Sequence, residues 1–162
     1  MSYPPPVYHA ENGEVSAWLR RHDSPPDVVY PNGNRVRYLA RGEEADGTYG
    51  LYHWEFAGPE SGPSSHFHRT ITESFYVLSG VVRIFDGREW VRCGAGDFVH
   101  VPAGGWHGFR NEDGPASMLL HFAPGASREA YFEGLARGAA DLPTAEYDAF
   151  MAAHDNVWDA PG

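Results

Sequence analysis

The chain has 162 residues, of which 42% are hydrophobic and 14% aromatic, and this is the composition of a globular protein with a substantial core. Its formal charge of −10 repels polyanions, and it shows no basic stripe or helix-turn-helix pattern, so nucleic acid is not an expected partner. All 12 basic residues are arginine, which excludes mechanisms that need a lysine Schiff base.

Signals for a membrane or for export are missing from the sequence. No run approaches the ~18 to 20 consecutive apolar residues of a membrane-spanning helix, and the N-terminal residues lack the basic start and apolar stretch of a secretory signal. We therefore expect a cytoplasmic protein without a membrane partner. The single cysteine, Cys93, allows no disulfide within the chain and is interpreted as a small, partly buried residue.

Residues 1–33 are predicted to form an N-terminal arm. Two proline-rich stretches, at residues 4–6 and 24–26, bracket a short segment of mixed polarity around Trp18. This pattern predicts an extended chain with one helical turn at most.

Residues 34–124 are predicted to form an antiparallel β-barrel. Short runs rich in Val, Ile, Tyr, Phe and Trp alternate with Gly, Pro, Asn and Asp at intervals of roughly ten residues, which is typical of sandwiches and barrels. Asp86 and Gly87 indicate a hairpin, because both tolerate positive φ at low cost. The predicted strands are residues 35–40, 49–57, 66–68, 73–78, 81–85, 90–91, 98–101, 107–110 and 117–122.

Residues 125–162 are predicted to form a helical extension. Residues 127–136 and 144–154 carry apolar side chains at a spacing of three to four, which indicates two amphipathic helices. No internal repeat is visible, so we expect one barrel and not a tandem pair.

Two segments of the predicted barrel offer metal ligands. His66 and His68 lie two residues apart on one strand, so their side chains point to the same face. Glu73 opens the next strand, and His107 follows the flexible residues 102–105. Neutral imidazole and carboxylate suit divalent Fe, Mn, Co, Ni, Cu or Zn, and the identity of the metal stays open. The remaining histidines are interpreted as ordinary solvated or core residues: His9, His22, His53, His100, His121 and His154.

These two segments resemble the sequence motifs of the cupin superfamily of small β-barrels. The first motif reads His-x-His, three or four residues, Glu, six residues, Gly, and its places are filled by His66, His68, Glu73 and Gly80. The second reads Gly, five residues, Pro-x-Gly, two residues, His, three residues, Asn, and its places are filled by Gly96, Pro102, Gly104, His107 and Asn111. Glu60 stands where the first motif usually begins with glycine, a departure that affects no ligand.

The resemblance implies an all-β fold of the cupin type, a double-stranded β-helix or jelly-roll barrel, here with an N-terminal arm and short C-terminal helices. It implies one divalent transition metal held by the two histidines of the first motif, by Glu73 and by His107. It also implies a homodimer, because an unpaired edge strand needs protection.

The same strand alternation predicts the substrate pocket. If the ligands face the interior, Phe75 and Phe109 do so as well, and we expect Tyr52 and Trp54 to join them. Arginines next to the ligands should point away, since Arg69 and Arg110 are each an odd number of residues from one; Arg35, Arg37 and Arg83 stay open. We therefore expect no guanidinium clamp for an acidic substrate.

Small cupins of this kind include flavonol-cleaving dioxygenases, so the resemblance implies an oxidoreductase that uses O₂ on a small aromatic or enolisable phenolic compound. Glu73 would be both a metal ligand and the catalytic group that accepts the substrate's hydroxyl proton. Two alternatives stay open. One is a metal-dependent isomerase, cyclase or lyase of secondary metabolism, and the other is a non-catalytic cupin that binds a small molecule.

Overall fold

The computed structural model describes residues 3–125 and 127–158. The predicted all-β fold is confirmed, since strands dominate and the helices are short. The strands are β1 (Val28–Val29), β2 (Arg35–Ala40), β3 (Gly50–Phe56), β4 (His66–Phe67), β5 (Thr72–Ser79), β6 (Val81–Phe85), β7 (Trp90–Gly94), β8 (Phe98–Val101), β9 (Gly108–Asn111), β10 (Ala116–Ala123) and β11 (Val157–Trp158). The helices are α1 (Glu129–Ala136) and α2 (Thr144–Ala153), separated by a 3₁₀ turn at Ala139–Asp141.

Two antiparallel sheets form the body of the barrel. The larger has the order β1-β2-β3-β10-β5-β8, and the smaller has the order β7-β6-β9. The hairpin between β6 and β7 turns at the predicted place. There the Asp86 carboxylate accepts hydrogen bonds from the backbone N–H groups of Arg88 and Glu89, at 2.8 and 2.9 Å, and Gly87 adopts a φ of 95°.

Strand alternation explains the core. Every second residue of β3 and β10 is buried, so each strand contributes a row of large apolar side chains. These rows join residues of the smaller sheet, such as Ile84 and Phe109, in a single hydrophobic cluster. The central members of the two rows are Tyr52, Trp54, Phe56, Met118, Leu120 and Phe122.

The N-terminal arm contains one element that the sequence pattern did not predict. Val28 and Val29 pair with Val36 and Arg35 as an added edge strand of the larger sheet. Residues 3–27, all of which the structure describes, contain no helical turn around Trp18, and residues 3–19 are exposed throughout.

The C-terminal extension contains the two predicted helices and then an unpredicted strand. β11 pairs with β4, with Val157 opposite Phe67 and Trp158 opposite His66. A strand of two residues is too short for any periodic pattern to reveal it. Among the described residues, neither helix has the length and apolar character needed to cross a bilayer. The boundaries at 33/34 and 124/125 remain predictions.

Candidate metal centre

The structure brings the four predicted ligand residues together inside the barrel. His66, His68, Glu73 and His107 are each at most 3% exposed, and one donor atom from each lies within 4.8 Å of the other three. His66 and His107 also exchange two backbone hydrogen bonds of 2.8 Å, which join the two motif segments side by side. Main-chain pairing thus brings together two histidines that are 41 residues apart in the sequence.

Main-chain carbonyls orient the three imidazole rings. His66 Nδ1 lies 2.9 Å from the Ser64 carbonyl oxygen, and His107 Nδ1 lies 2.9 Å from that of Gly105. His68 Nδ1 lies 2.6 Å from the carbonyl oxygen of Asp155. Because a carbonyl can only accept, each Nδ1 carries the proton and each Nε2 presents a lone pair. This is the arrangement by which proteins fix the tautomer of metal-binding histidines.

The Glu73 carboxylate meets two of these nitrogens. Its Oε2 lies 3.1 Å from His68 Nε2 and 2.9 Å from His107 Nε2. A carboxylate oxygen facing imidazole lone pairs is a group of acceptors without a donor, so a positive charge must lie among them. A bound divalent metal satisfies this requirement at all four residues, whereas protonation satisfies it only by charging a buried imidazole. The donor set therefore fits a transition metal.

The pKa values reflect the same electrostatics. Burial, with a smaller contribution from His107, lowers the pKa of His66 to about 3. Burial also acts to lower the pKa of His107, but the hydrogen bond and charge of Glu73 outweigh it, and the pKa of His107 lies above its usual value. Burial acts to raise the pKa of Glu73, yet its close contacts with the His107 and His68 rings hold it well below its usual range. Glu73 is therefore ionised at neutral pH.

A cavity of about 750 Å³ reaches the cluster at His66 and Glu73. Of the four aromatic residues predicted for the pocket, Trp54 and Phe109 line this cavity. Tyr52 and Phe75 are not among its lining residues; both are fully buried, and the Tyr52 hydroxyl donates to Glu129 Oε1 at 2.8 Å. Alternation identifies the inward face of a strand, but it does not reveal which inward positions border empty space. The aromatic lining consists of Tyr30, Trp54, Phe109, Phe122, Tyr131, Phe132, Tyr147 and Trp158.

The C-terminal extension supplies lining residues that the sequence analysis missed. Trp158 packs on the His66 ring with a centroid distance of 5.0 Å, and Tyr131 and Phe132 come from α1. Arg128, the N-cap of α1, also lines the cavity, and this guanidinium was not among the arginines that the sequence analysis considered for the pocket. One sequence signal existed: a cation is unfavourable at a helix N-terminus, which indicates that Arg128 is there for another reason.

Comparison with known proteins gives findings at three levels. A family model described as the cupin domain matches residues 52–122. A quercetin 2,3-dioxygenase of Bacillus subtilis (strain 168) is 33% identical over 60 residues, which cover 37% of this chain and 18% of that enzyme. The match thus spans under a fifth of the curated relative's length.

Solved structures show the same fold at low identity. KdgF from Halomonas sp. is 18% identical with a TM-score of 0.58, over 67% of this chain and 93% of that one. A predicted oxalate decarboxylase from Thermotoga maritima is 18% identical with a TM-score of 0.59, over 66% of this chain and 98% of that one. At this identity the likeness concerns the fold alone.

Proposed function

The chain belongs to the cupin superfamily, and we propose that it is a metal-dependent dioxygenase acting with O₂ on a small aromatic or enolisable phenolic compound. One observation carries the proposal: four buried metal-type donors converge, two of them, His66 and Glu73, line a cavity, and eight aromatic side chains line the same cavity. The local likeness to a quercetin 2,3-dioxygenase supports the choice of oxygen chemistry.

The metal would be held by His66, His68, Glu73 and His107, with its identity among Fe, Mn, Ni, Co, Cu and Zn open. When bound, it supplies Lewis acidity toward a substrate oxygen and, if redox-active, a route for electrons to O₂. The main-chain carbonyls that hold the Nδ1 atoms keep the imidazole lone pairs aimed at one point before any ligand arrives.

Two features of the chain itself prepare the substrate. Glu73 is ionised and borders the cavity, so its carboxylate is placed to accept the proton of a substrate hydroxyl group. The rings of Trp54, Phe109 and Phe132 offer faces and edges to a planar apolar body, and Trp54 lies edge-on to both of the others. The pocket thus selects an aromatic framework and presents its hydroxyl to the cluster.

The test combines elemental analysis with oxygen uptake on a panel of flavonols and other enolisable phenols. We expect one transition metal per chain and oxygen uptake with at least one panel member. Glu73→Gln should lower kcat by about 10²- to 10⁴-fold, the usual contribution of a general base, while the matched Glu55→Gln change on the outward side of β3 should not. Metal with turnover but no oxygen uptake would indicate an isomerase, cyclase or lyase instead. Metal without turnover would indicate a binding protein.

We further propose that the chain acts as a homodimer. β8 is an unpaired edge of the larger sheet, and such edges are usually covered. The arm carries large apolar side chains with almost complete exposure, Tyr3 and Val7 at 98% each, which a partner chain would bury.

A further inference from the structure

Arg128 is a buried cation without a buried anion. Its side chain borders the same cavity as His66 and Glu73, and the residue is 3% exposed. It forms no ion pair with any carboxylate of the described residues. Its hydrogen bonds go to neutral acceptors: Nη1 donates to the His154 carbonyl oxygen at 2.5 Å and Nη2 to Asn156 Oδ1 at 3.2 Å. Nε is buried and has no partner in the described part of the chain.

Aromatic rings provide only part of the compensation that this charge needs. The guanidinium carbon lies 4.3 Å from the ring centroid of Tyr131 and 5.1 Å from that of Phe122. Cation–π contacts are weaker than pairing with an anion, and burial of an unpaired charge is costly. The Arg128 guanidinium therefore lies at the cavity wall at a cost in folding free energy, and its Nε–H donor has no partner among the described residues.

We infer that the cavity binds an organic acid, with Arg128 holding a carboxylate of the substrate. This inference extends the proposed function. It rests on that proposal for the statement that the hydroxyl end of the substrate is the end that reacts. The planar guanidinium matches a carboxylate in shape and charge. Arg128 is the one side chain of fixed positive charge among the described lining residues, and this matches a single negative group.

The charge distribution of the cavity also sets the orientation of that acid. Arg128 attracts a carboxylate through its fixed charge, whereas His66 and Glu73 of the candidate metal centre border the same cavity. The substrate's carboxylate is thus directed to Arg128 and its hydroxyl to Glu73. Eight aromatic side chains line the same cavity, so an aromatic hydroxy acid fits all three features.

A purely structural role for Arg128 makes a different prediction. Its two hydrogen bonds join α1 to residues 154–156, the segment whose Asp155 carbonyl orients His68. If that were its only role, substitution would weaken the binding of acids and of neutral analogues alike. Only a role in anion binding makes the substitution weaken the binding of acids more than the binding of neutral analogues.

The experiment compares 2-, 3- and 4-hydroxybenzoate with their amides by isothermal titration calorimetry, on the metal-free and the metal-loaded protein. We expect at least one acid to bind about 10-fold or more tightly than its amide, the effect of a charge-assisted hydrogen bond pair. Arg128→Gln should abolish this preference and leave the affinity for the amide within about 3-fold, while Arg128→Lys should keep part of it. Arg110→Gln is the matched control, because Arg110 stacks on Trp90 outside the cavity lining.

Equal binding of acid and amide by the unmutated protein, or no binding of any acid, would overturn the inference even if Arg128→Gln failed to fold. An equal loss for acid and amide in Arg128→Gln would also overturn it in favour of the structural role. Because calorimetry needs no turnover, preference for the acid without oxygen uptake leaves the anion subsite standing and refutes the dioxygenase. Oxygen uptake on neutral phenols without preference for an acid would leave the dioxygenase standing and refute the anion subsite.

Discussion

At the scale of single residues, the candidate centre depends on where each imidazole carries its proton. Three backbone carbonyls accept hydrogen bonds from the Nδ1–H groups of His66, His68 and His107. Each Nε2 therefore keeps its lone pair and can serve as a ligand atom. Glu73 adds a negative charge, and its Oε2 faces the Nε2 atoms of His68 and His107. The geometry is therefore built for a cation before one binds.

Removal of one ligand should release the metal and leave the barrel folded. We expect His107→Ala to lower metal affinity by at least about 100-fold, since the loss of mere outer partners already costs 10- to 100-fold. Metal content after dialysis, measured by elemental analysis, and the circular dichroism spectrum check this. His100→Ala is the control, because His100 is an exposed histidine on β8 that contacts Ser74. Retention of metal by His107→Ala would refute the ligand assignment.

Metal retention should decrease as the pH falls. A proton and a metal compete for each Nε2, so the imidazole with the raised pKa is protonated first as the solution is acidified. That imidazole is His107, whose pKa Glu73 raises, whereas the pKa of His66, about 3, keeps it neutral throughout. The metal occupancy should therefore decrease as the pH falls below neutrality, with His107 protonated first. Dialysis at a series of pH values with elemental analysis measures it, and constant occupancy down to pH 5 would contradict the model of a histidine-rich site.

At the scale of elements, the C-terminal segment is part of the centre. The Asp155 carboxylate accepts hydrogen bonds from the backbone N–H groups of Arg69 and Thr70, at 2.9 and 2.8 Å, and from Thr70 Oγ1 at 2.7 Å. Its own carbonyl orients His68, and β11 follows directly and pairs with β4. The turn between β4 and β5 and the segment around Asp155 thus jointly position the candidate ligand His68.

Loosening this junction should weaken metal binding without touching a ligand. Asp155 adopts a φ of 54°, which asparagine tolerates, so Asp155→Asn changes the charge and one acceptor but not the backbone preference. We expect about a 10-fold loss of metal affinity together with a lower Tm, as for other partners of metal ligands. Asp148→Asn, an exposed position on α2, is the control for the charge change. Equal metal affinities in the two variants would show that Asp155 does not position His68.

At the scale of the whole molecule, the two sheets, the C-terminal extension and the end of the arm at Tyr30 and Asn32 line the cavity, whereas residues 3–19 of the arm are not among its lining residues. Core residues from both sheets and from α1 and α2 belong to one cluster, so the extension packs as part of the barrel. Residues 3–19 of the arm, in contrast, are exposed throughout. A second copy of the chain is the partner that we propose for it.

The arm should govern self-association. Sedimentation analysis of the unmutated chain should give a dimer, and Val7→Asp combined with Leu19→Asp should give a monomer, because both side chains are exposed in the single chain, at 98% and 74%. Leu142→Asp, at an exposed position in the extension, should remain dimeric. A dimer that survives the double substitution would place the interface elsewhere, and a monomeric unmutated chain would refute the dimer.

The strands and the ligand set were readable in the sequence because both depend on local spacing. Short runs of β-branched and aromatic residues between turn residues predicted β2, β6 and β8 with their observed bounds. The spacing of the two histidines on one strand placed them on one face. The resemblance to the cupin superfamily, which the family model supports over residues 52–122, likewise depends on motifs that each lie within about 16 consecutive residues, a length over which strand geometry is predictable.

The pocket, in contrast, was decided by contacts between distant parts of the chain. His68 and the Asp155 carbonyl that orients it are 87 positions apart, and Arg128 reaches the cavity from a helix that local patterns place only as an amphipathic segment. Spacing shows which face a side chain takes, but it carries no information on which surfaces meet across the fold. The amino-acid sequence by itself therefore determined the barrel and its candidate ligands, and only the tertiary structure decided which aromatic rings border the cavity and that a buried guanidinium lines the same cavity as the cluster.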